Sequence, residues 1–226
     1  MSTVEFIKVV IVALLGYLLG SLNSSLIVGK IYGVDVRKHG SGNAGATNTL
    51  RTLGKSAALL TTLGDLLKGF IACLLGFYVM TDNGFTIDIY NRTSLEDIGL
   101  MIGGLGAIFG HNWPIYFGFK GGKGVLATFV VVLMMDWRIA LFLLGVFIVI
   151  VFISRYISLG SILCAASVPL VGLIVKQSDE FIIFSVVLAI LVVFRHRSNI
   201  QRIAKGNESK FSMKKKAADA DKISEV

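Results

Sequence analysis

The chain alternates uncharged apolar runs with short polar intervals, and this pattern limits its fold more than any motif does. A helix needs about 20 apolar residues to cross a ~30 Å hydrocarbon core. Runs of this kind fall at about 6–29, 57–80, 98–112, 139–155, 159–176 and 180–194, with a shorter one at 125–135. Hydrophobic residues make up 54% of the sequence and charged residues 16%, with a mean hydropathy of +0.77. An ordinary soluble domain is about a quarter charged. The sequence therefore predicts an all-α, polytopic integral membrane helix bundle with seven transmembrane helices and no separate soluble domain. Residues 1–205 form its single domain. Residues 206–226, polar and carrying Lys214-Lys215-Lys216, are expected to be a disordered basic tail that touches anionic lipid.

The first run is retained as a helix. Its leading segment is acidic before it is basic, no Ala-x-Ala site follows, and Ser2-x-x-Glu5 is a capping-box pattern. Gly16-x-x-x-Gly20 allows close helix contact. Ser94-x-x-Asp97 and Ser178-Asp179-Glu180 are expected to cap the third and seventh helices, and Pro169 to kink the sixth. The run Val125–Met135 would be only about 17 Å long, too short to span. Either its helix extends further or it starts within the bilayer depth as a half-helix.

Charge sets the orientation. Lys and Arg number 17 in the intervals 30–56, 113–124, 155–158 and the C-terminal segment, against 4 on the other side. By the positive-inside rule the N-terminus lies outside and the C-terminus in the cytoplasm. The acidic first turns of helices 1, 3 and 7 then share the outer face, each complementing a helix N-terminus. Cys73 and Cys164 sit far apart in apolar runs, which argues against a disulfide. Three histidines without an HExxH pattern or acidic cluster argue against a metal, and no cofactor is expected.

The polar interval Arg37–Lys55 is the chemically dense one. Gly40, Gly42 and Gly45 permit close backbone approach, Ser41, Asn43, Thr47 and Asn48 offer hydrogen bonds, and Arg51 offers a planar fork. Lys120-Gly-Gly-Lys-Gly124 precedes a helix, where glycine N–H groups and Lys123 can cradle an anion. It is not a Walker A loop, which would need Gly at Phe117 and Ser or Thr at Gly124. Asp65 and Lys68 share a helix face inside the membrane, either as a functional pair or as an ion pair that orients the helix. After the last run, His196, Asn199 and either Arg195 or Arg202 recur at helical spacing, and Arg155, Ser158 and Ser161 repeat the theme. Together these segments suit recognition of phosphorylated, anionic groups at the membrane surface.

Five motifs resemble the acyl-phosphate:glycerol-3-phosphate acyltransferase family in order. They are Ser41-Gly-Asn-Ala-Gly-Ala-Thr-Asn-Thr-Leu-Arg51, Asp65-Leu-Leu-Lys-Gly69, Gly110-His-Asn-Trp-Pro, Lys120-Gly-Gly-Lys-Gly-Val and His196-Arg-Ser-Asn-Ile-Gln-Arg202. The resemblance covers residues 16 to 210. One departure is Ala44, where the family is expected to favour proline; it touches loop stiffness and leaves the polar positions intact. The resemblance implies acyl transfer from acyl phosphate to the 1-hydroxyl of glycerol 3-phosphate, giving lysophosphatidic acid and phosphate as the first step of bacterial phospholipid synthesis. It implies a multi-pass protein of the bacterial cytoplasmic membrane whose site faces the cytoplasm. Ser41, Arg51, Lys123, His196 and Asn199 would be catalytic. Asn43, Thr47, Asn48, Lys68, Gly121, Gly122, Gly124, Ser158, Ser161 and Arg202 would bind substrate. Its partners would be the two substrates, membrane lipids and an upstream acyl-phosphate-forming enzyme, without nucleic acid.

Acyltransferases with a histidine base on acyl-CoA commonly carry His-x4-Asp. Ala44, Tyr116 and Gln201 stand five residues after His39, His111 and His196, so that dyad is missing. An acyl phosphate is already activated and needs mainly charge neutralisation at its leaving group. The resemblance suggests that the substrate's own phosphate takes the hydroxyl proton, leaving His196 as the plausible protein base. A transporter of organic phosphates could use the same cationic loops, but it would favour internal repeats and charges on both sides, and neither is present. A non-catalytic lipid-binding subunit would not need four converging motifs.

Overall fold

The structure, a computed structural model, describes residues 2–81 and 93–211, which are helical throughout their regular parts, with no strand among them. In chain order the helices are α1 (Thr3–Ser21), α2 (Ser24–Ile31), α3 (Ala46–Leu53), α4 (Lys55–Met80) and α5 (Ser94–Asn112). They continue with α6 (Val125–Met135), α7 (Trp137–Ser154), α8 (Ile157–Ile174), α9 (Asp179–Arg195) and α10 (Arg197–Ala204). Among the described residues, four stretches are long and apolar enough to cross a membrane: Thr3–Ile31, α4, α7 and α8. A fifth results if α9 and α10, bent by 58° at their junction, count as one span.

The ends follow local chemistry. The Ser2 hydroxyl accepts from the Glu5 N–H at 3.2 Å while the Glu5 carboxylate accepts from the Ser2 N–H at 2.7 Å, the expected capping box. The first run does not form one continuous helix over 6–29. It breaks at Leu22, and Asn23 starts α2 by accepting from the Leu26 N–H. The cap of α5 is Thr93 paired with Glu96, one residue before the expected Ser94–Asp97 pair, because the Thr93 hydroxyl and Glu96 carboxylate satisfy both free N–H groups reciprocally. Ser178 caps α9 as expected. Pro169 lies inside α8 without interrupting it. Asp82, Asp88 and Arg92 of the acidic interval lie outside the described residues, as do residues 212–226 of the tail.

Of the two readings of the short run, extension does not occur. Helix α6 keeps its 11 residues, bounded by Gly124 in the left-handed region (φ +72°) and by extended Asp136. The polar interval 37–55 is likewise not all loop. Helix α3 occupies much of it, entered at Gly45, with its Thr49 hydroxyl bonded to the Gly45 carbonyl and Ser25.

Helices α1, α4 and α5 pack backbone against backbone. A Cβ on Gly16 or Gly20 would strike the carbonyls of Gly103 or Ala107, one on Gly76 would strike Gly99, and one on Gly103 would strike Ala72. Lipid offers no hydrophobic drive between helices, so this close van der Waals contact is what holds them. Around the trio, Ile108, Val131, Leu143 and Leu188 of α5, α6, α7 and α9 fill one core. The outward faces are apolar too: Phe152, Ile153 and Ile174 are 84%, 77% and 79% exposed, a pattern that suits lipid and not water.

Two glycine substitutions test this packing. Gly103→Ala must push α4 away from α5, an overpacking cost of about 1–3 kcal/mol. Gly145→Ala in α7 meets nothing within 4 Å and should be neutral or slightly stabilising. Thermal unfolding in detergent micelles should show a lowered midpoint for the first variant only; equal midpoints would contradict the backbone contact.

Candidate active site

The helix ends gather four loops into one place. Arg37 donates to the carbonyls of Phe117 (3.1 Å) and Lys120 (3.4 Å), tying the 36–45 turn to the glycine loop before α6. Asn23 reaches the carbonyls of Ala44 and His111 from the break between α1 and α2. In the glycine loop, the Gly122 N–H donates to the His111 carbonyl at 3.0 Å. Gly122 must be glycine there, since a Cβ would run into the His111 imidazole and the Ala44 carbonyl.

Lys123 then projects to the α9–α10 junction, where its ammonium donates to Asn199 Oδ1 at 2.6 Å. Asn199 Nδ2 donates onward to Glu208 Oε1 at 2.7 Å. The same oxygen accepts from the Ser158 hydroxyl at 2.7 Å, while Arg202 Nε donates to Glu208 Oε2 at 2.8 Å. The segment carrying Glu208 lies across this end of the bundle: Arg51 donates to the Ser209 carbonyl at 3.2 Å, and the Phe211 N–H donates to the Arg155 carbonyl at 2.6 Å. Residues 206–211, expected to belong to a disordered tail, are therefore bonded to three site segments: α3, the start of α8 and α10.

Electrostatics follow from this crowding. Burial pulls the Lys123 ammonium down to about 8; Glu208 partly offsets this, and Arg202, Arg195 and Arg51 add to the lowering. His196 is 2% exposed, and burial with the Lys123 charge lowers its imidazole to about 4. Its Nδ1 lies 2.8 Å from the Val192 carbonyl, which can only accept, so the neutral ring carries its proton on Nδ1 and its lone pair on Nε2. For Glu208, burial pushes the carboxyl up, but hydrogen bonds from Ser158, Arg202 and Asn199 outweigh it and hold the group below its usual range. One carboxylate thus stands among Arg51, Lys123, Arg195 and Arg202, and the local charge stays positive.

Of the residues expected from sequence, Lys123, Asn199, Arg202 and Ser158 are joined through hydrogen bonds, His196 adjoins them, and Arg51 enters through Ser209. Gly121, Gly122 and Gly124 shape the loop that presents Lys123. Ser161 lies one turn after Ser158 with its hydroxyl on the Ile157 carbonyl. Asn48 holds the preceding turn: its Oδ1 accepts from the Ser41 N–H, and its Nδ2 donates to the carbonyls of Val36 and His39. Asn43 and Thr47 flank the start of α3, and Ser41 is exposed on the turn. Lys68 lies within the bundle, its ammonium 2.9 Å from Asp65, 3.2 Å from the Leu22 carbonyl and 3.0 Å from His111 Nδ1.

Sequence reading missed one participant, Glu208, and left a second, Arg195, undecided. Glu208 stands in a polar segment with nothing local to mark it. Arg195 was one of two alternatives at helical spacing. It donates through Nε to the Gly122 carbonyl at 3.1 Å and through Nη2 to the Asn112 carbonyl at 3.3 Å, with its guanidinium 4.9 Å from the Trp113 ring centre.

Known proteins resemble this chain in sequence and in fold. A family model described as glycerol-3-phosphate acyltransferase matches residues 10–206. The glycerol-3-phosphate acyltransferase of Thermoanaerobacter sp. (strain X514) is 39% identical over 206 residues, covering 91% of this chain and 96% of its own. That of Clostridioides difficile (strain 630) is 40% identical over 216 residues, covering 93% and 99%. Among solved structures, PlsY (YgiH), an integral membrane glycerol 3-phosphate acyltransferase in its glycerol 3-phosphate form, superposes with a TM-score of 0.79 at 36% identity over 90% of this chain and 96% of that one. The same protein in its lysophosphatidic acid form gives 0.76.

The lowered Lys123 gives a pH signature. The ammonium is charged below about 8 and neutral above, so anion affinity that depends on it is full at pH 7 and falls about tenfold per pH unit once that point is passed. Sulfate keeps its charge through this range and serves as the probe, by titration calorimetry on the solubilised protein. Lys123→Met should bind weakly and without this dependence. Affinity that stays flat up to about pH 10, where exposed lysines titrate, would contradict the assignment.

Proposed function

Since the chain belongs to the glycerol-3-phosphate acyltransferase family, we propose that it moves a fatty acyl group from acyl phosphate to the 1-hydroxyl of glycerol 3-phosphate, releasing lysophosphatidic acid and phosphate. The observation that carries this reading is the positively charged cluster of Lys123, Asn199, Arg51 and Arg202 at the helix ends, which suits two phosphate-bearing substrates.

The glycerol hydroxyl attacks the acyl carbonyl carbon, the bond from that carbon to the phosphate oxygen breaks, and phosphate departs with the electron pair. Lys123 and Arg51 neutralise the charge that builds on the leaving group. His196 offers a lone pair on Nε2, but at about 4 it is too weakly basic to hold a proton at neutral pH. It suits accepting a hydrogen bond from the hydroxyl and orienting it. The departing phosphate is the stronger acceptor and takes the proton. Ser41, Asn43 and Thr47 bind from the α3 side and Ser158 and Ser161 from the α8 side. Lys68 acts from within the bundle. The scheme as drawn calls on protein side chains and the two substrates alone.

The proposed topology has seven membrane-embedded segments, the N-terminus outside, and the site on the cytoplasmic face of the bacterial membrane, where an enzyme that forms acyl phosphate would supply the donor. Support comes from the 17-to-4 cationic asymmetry and from the hydrogen bonds that join the ends of α5 and α9 to the loop before α6 and, through Glu208, α10 to the start of α8.

Two measurements test the proposal. Purified protein should release phosphate from acyl phosphate when glycerol 3-phosphate is present and should not turn over acyl-CoA; efficient use of acyl-CoA alone would sink the donor assignment. Single cysteines at 41 and at 90, in a background lacking Cys73 and Cys164, should react with an impermeant reagent in intact cells only at 90. Labelling at 41 alone would invert the orientation.

A further inference from the structure

We infer that Arg195 is a positioning residue for the glycine loop: it anchors the Gly122–Lys123 peptide so that the loop presents its donors in one orientation. The inference rests on the acyl-transfer reading of the site and adds a residue that acts through Lys123.

A guanidinium near a cationic anion site would ordinarily be read as one more charge for substrate. The contacts of Arg195 point elsewhere. Its Nε and Nη2 donate to the Gly122 carbonyl, Nη2 also reaches the Asn112 carbonyl, and its flat face lies over Trp113. These partners come from the last turn of α5 and from the loop before α6, so Arg195 at the end of α9 ties three elements together. Only a planar fork can grip two carbonyls while stacking on an indole, and lysine cannot do this.

The consequence follows from peptide geometry. In a planar trans peptide the carbonyl and the next N–H point to opposite sides. Holding the Gly122 carbonyl toward Arg195 therefore turns the Lys123 N–H away from it, leaving it at the entrance to α6. The Gly122 N–H is held from its other side by the His111 carbonyl. Glycine on both sides of Lys123 would otherwise let these peptides rotate, because glycine has no Cβ to restrict them. Arg195 removes that freedom at the peptide that precedes the Lys123 side chain.

The test separates position from charge. Arg195→Lys keeps the charge and loses the fork; Arg195→Gln loses both. Turnover of acyl phosphate with glycerol 3-phosphate should fall in both variants by about 10- to 100-fold, the cost of a small misplacement of a reacting group. The loss should appear mainly in kcat. Hydrogen exchange of a peptide covering 119–125 should quicken in both variants, while one covering α5 stays protected. Trp113→Leu removes the stacking face but leaves the carbonyl contacts, so it should give the same pattern at smaller size and carries the test if the Arg195 variants do not insert. If Arg195→Lys retains turnover within a few-fold of the parent, Arg195 supplies charge alone and the inference falls. Faster exchange without loss of turnover also overturns it. If the parent itself shows no turnover, the acyl-transfer reading fails, while unchanged exchange in both variants would independently reject the anchoring role.

Discussion

Backbone contact between α1, α4 and α5 is the constraint on which the rest of the molecule depends. In a bilayer, helices gain nothing by hiding apolar side chains from lipid that is equally apolar. They gain by approaching closely, and Gly16, Gly20, Gly76, Gly99 and Gly103 permit the carbonyls of one helix to reach the backbone of the next. That approach sets where the helices end relative to one another. Because α5 is locked to α1 and α4, the carbonyls of His111 and Asn112 at its last turn become fixed points, and the glycine loop hangs on them.

Much of the polar chemistry at that end is used for construction. Asn48, Asn23, Arg37 and Arg195 all direct donors to main-chain carbonyls of the turns and loops at this end. An irregular loop near the membrane needs this, since its carbonyls are costly to bury unpaired. At the proposed site the cationic side is a smaller group: Lys123 and Arg202, bridged by Asn199 and Glu208, with Arg51 at the edge. Glu208 joins these to Ser158 and keeps the cationic groups from being wholly uncompensated.

The perturbed titrations follow from the same placement. Lys123 and His196 are held in surroundings that disfavour their charged forms, in both cases chiefly through burial. The outcome differs by starting point. A lysine lowered to about 8 remains a cation at neutral pH, whereas a histidine lowered to about 4 becomes a neutral hydrogen-bonding group. In the proposed mechanism, burial thus separates the two into an electrostatic role and an orienting one.

The sequence alone determined the helical membrane class, most helix positions, and the list of polar motifs, because hydrophobic run length, capping patterns and glycine spacing act over a few neighbouring residues. The Ser2–Glu5 and Ser178 caps and the Gly16–Gly20 contact were legible for that reason. Tertiary structure decided what each polar residue is spent on. Asn48 and Thr47 look alike in the motif, yet one is consumed by its own turn and the other is not. Arg195 and Arg202 shared one helical-spacing argument, yet one grips carbonyls and the other a carboxylate. Glu208 carries no local signal at all: its role comes from a meeting with Ser158, 50 positions away in the chain. A hydrogen bond needs its partner within about 3 Å, and no pattern in the sequence says which distant groups the packed helices will bring that close.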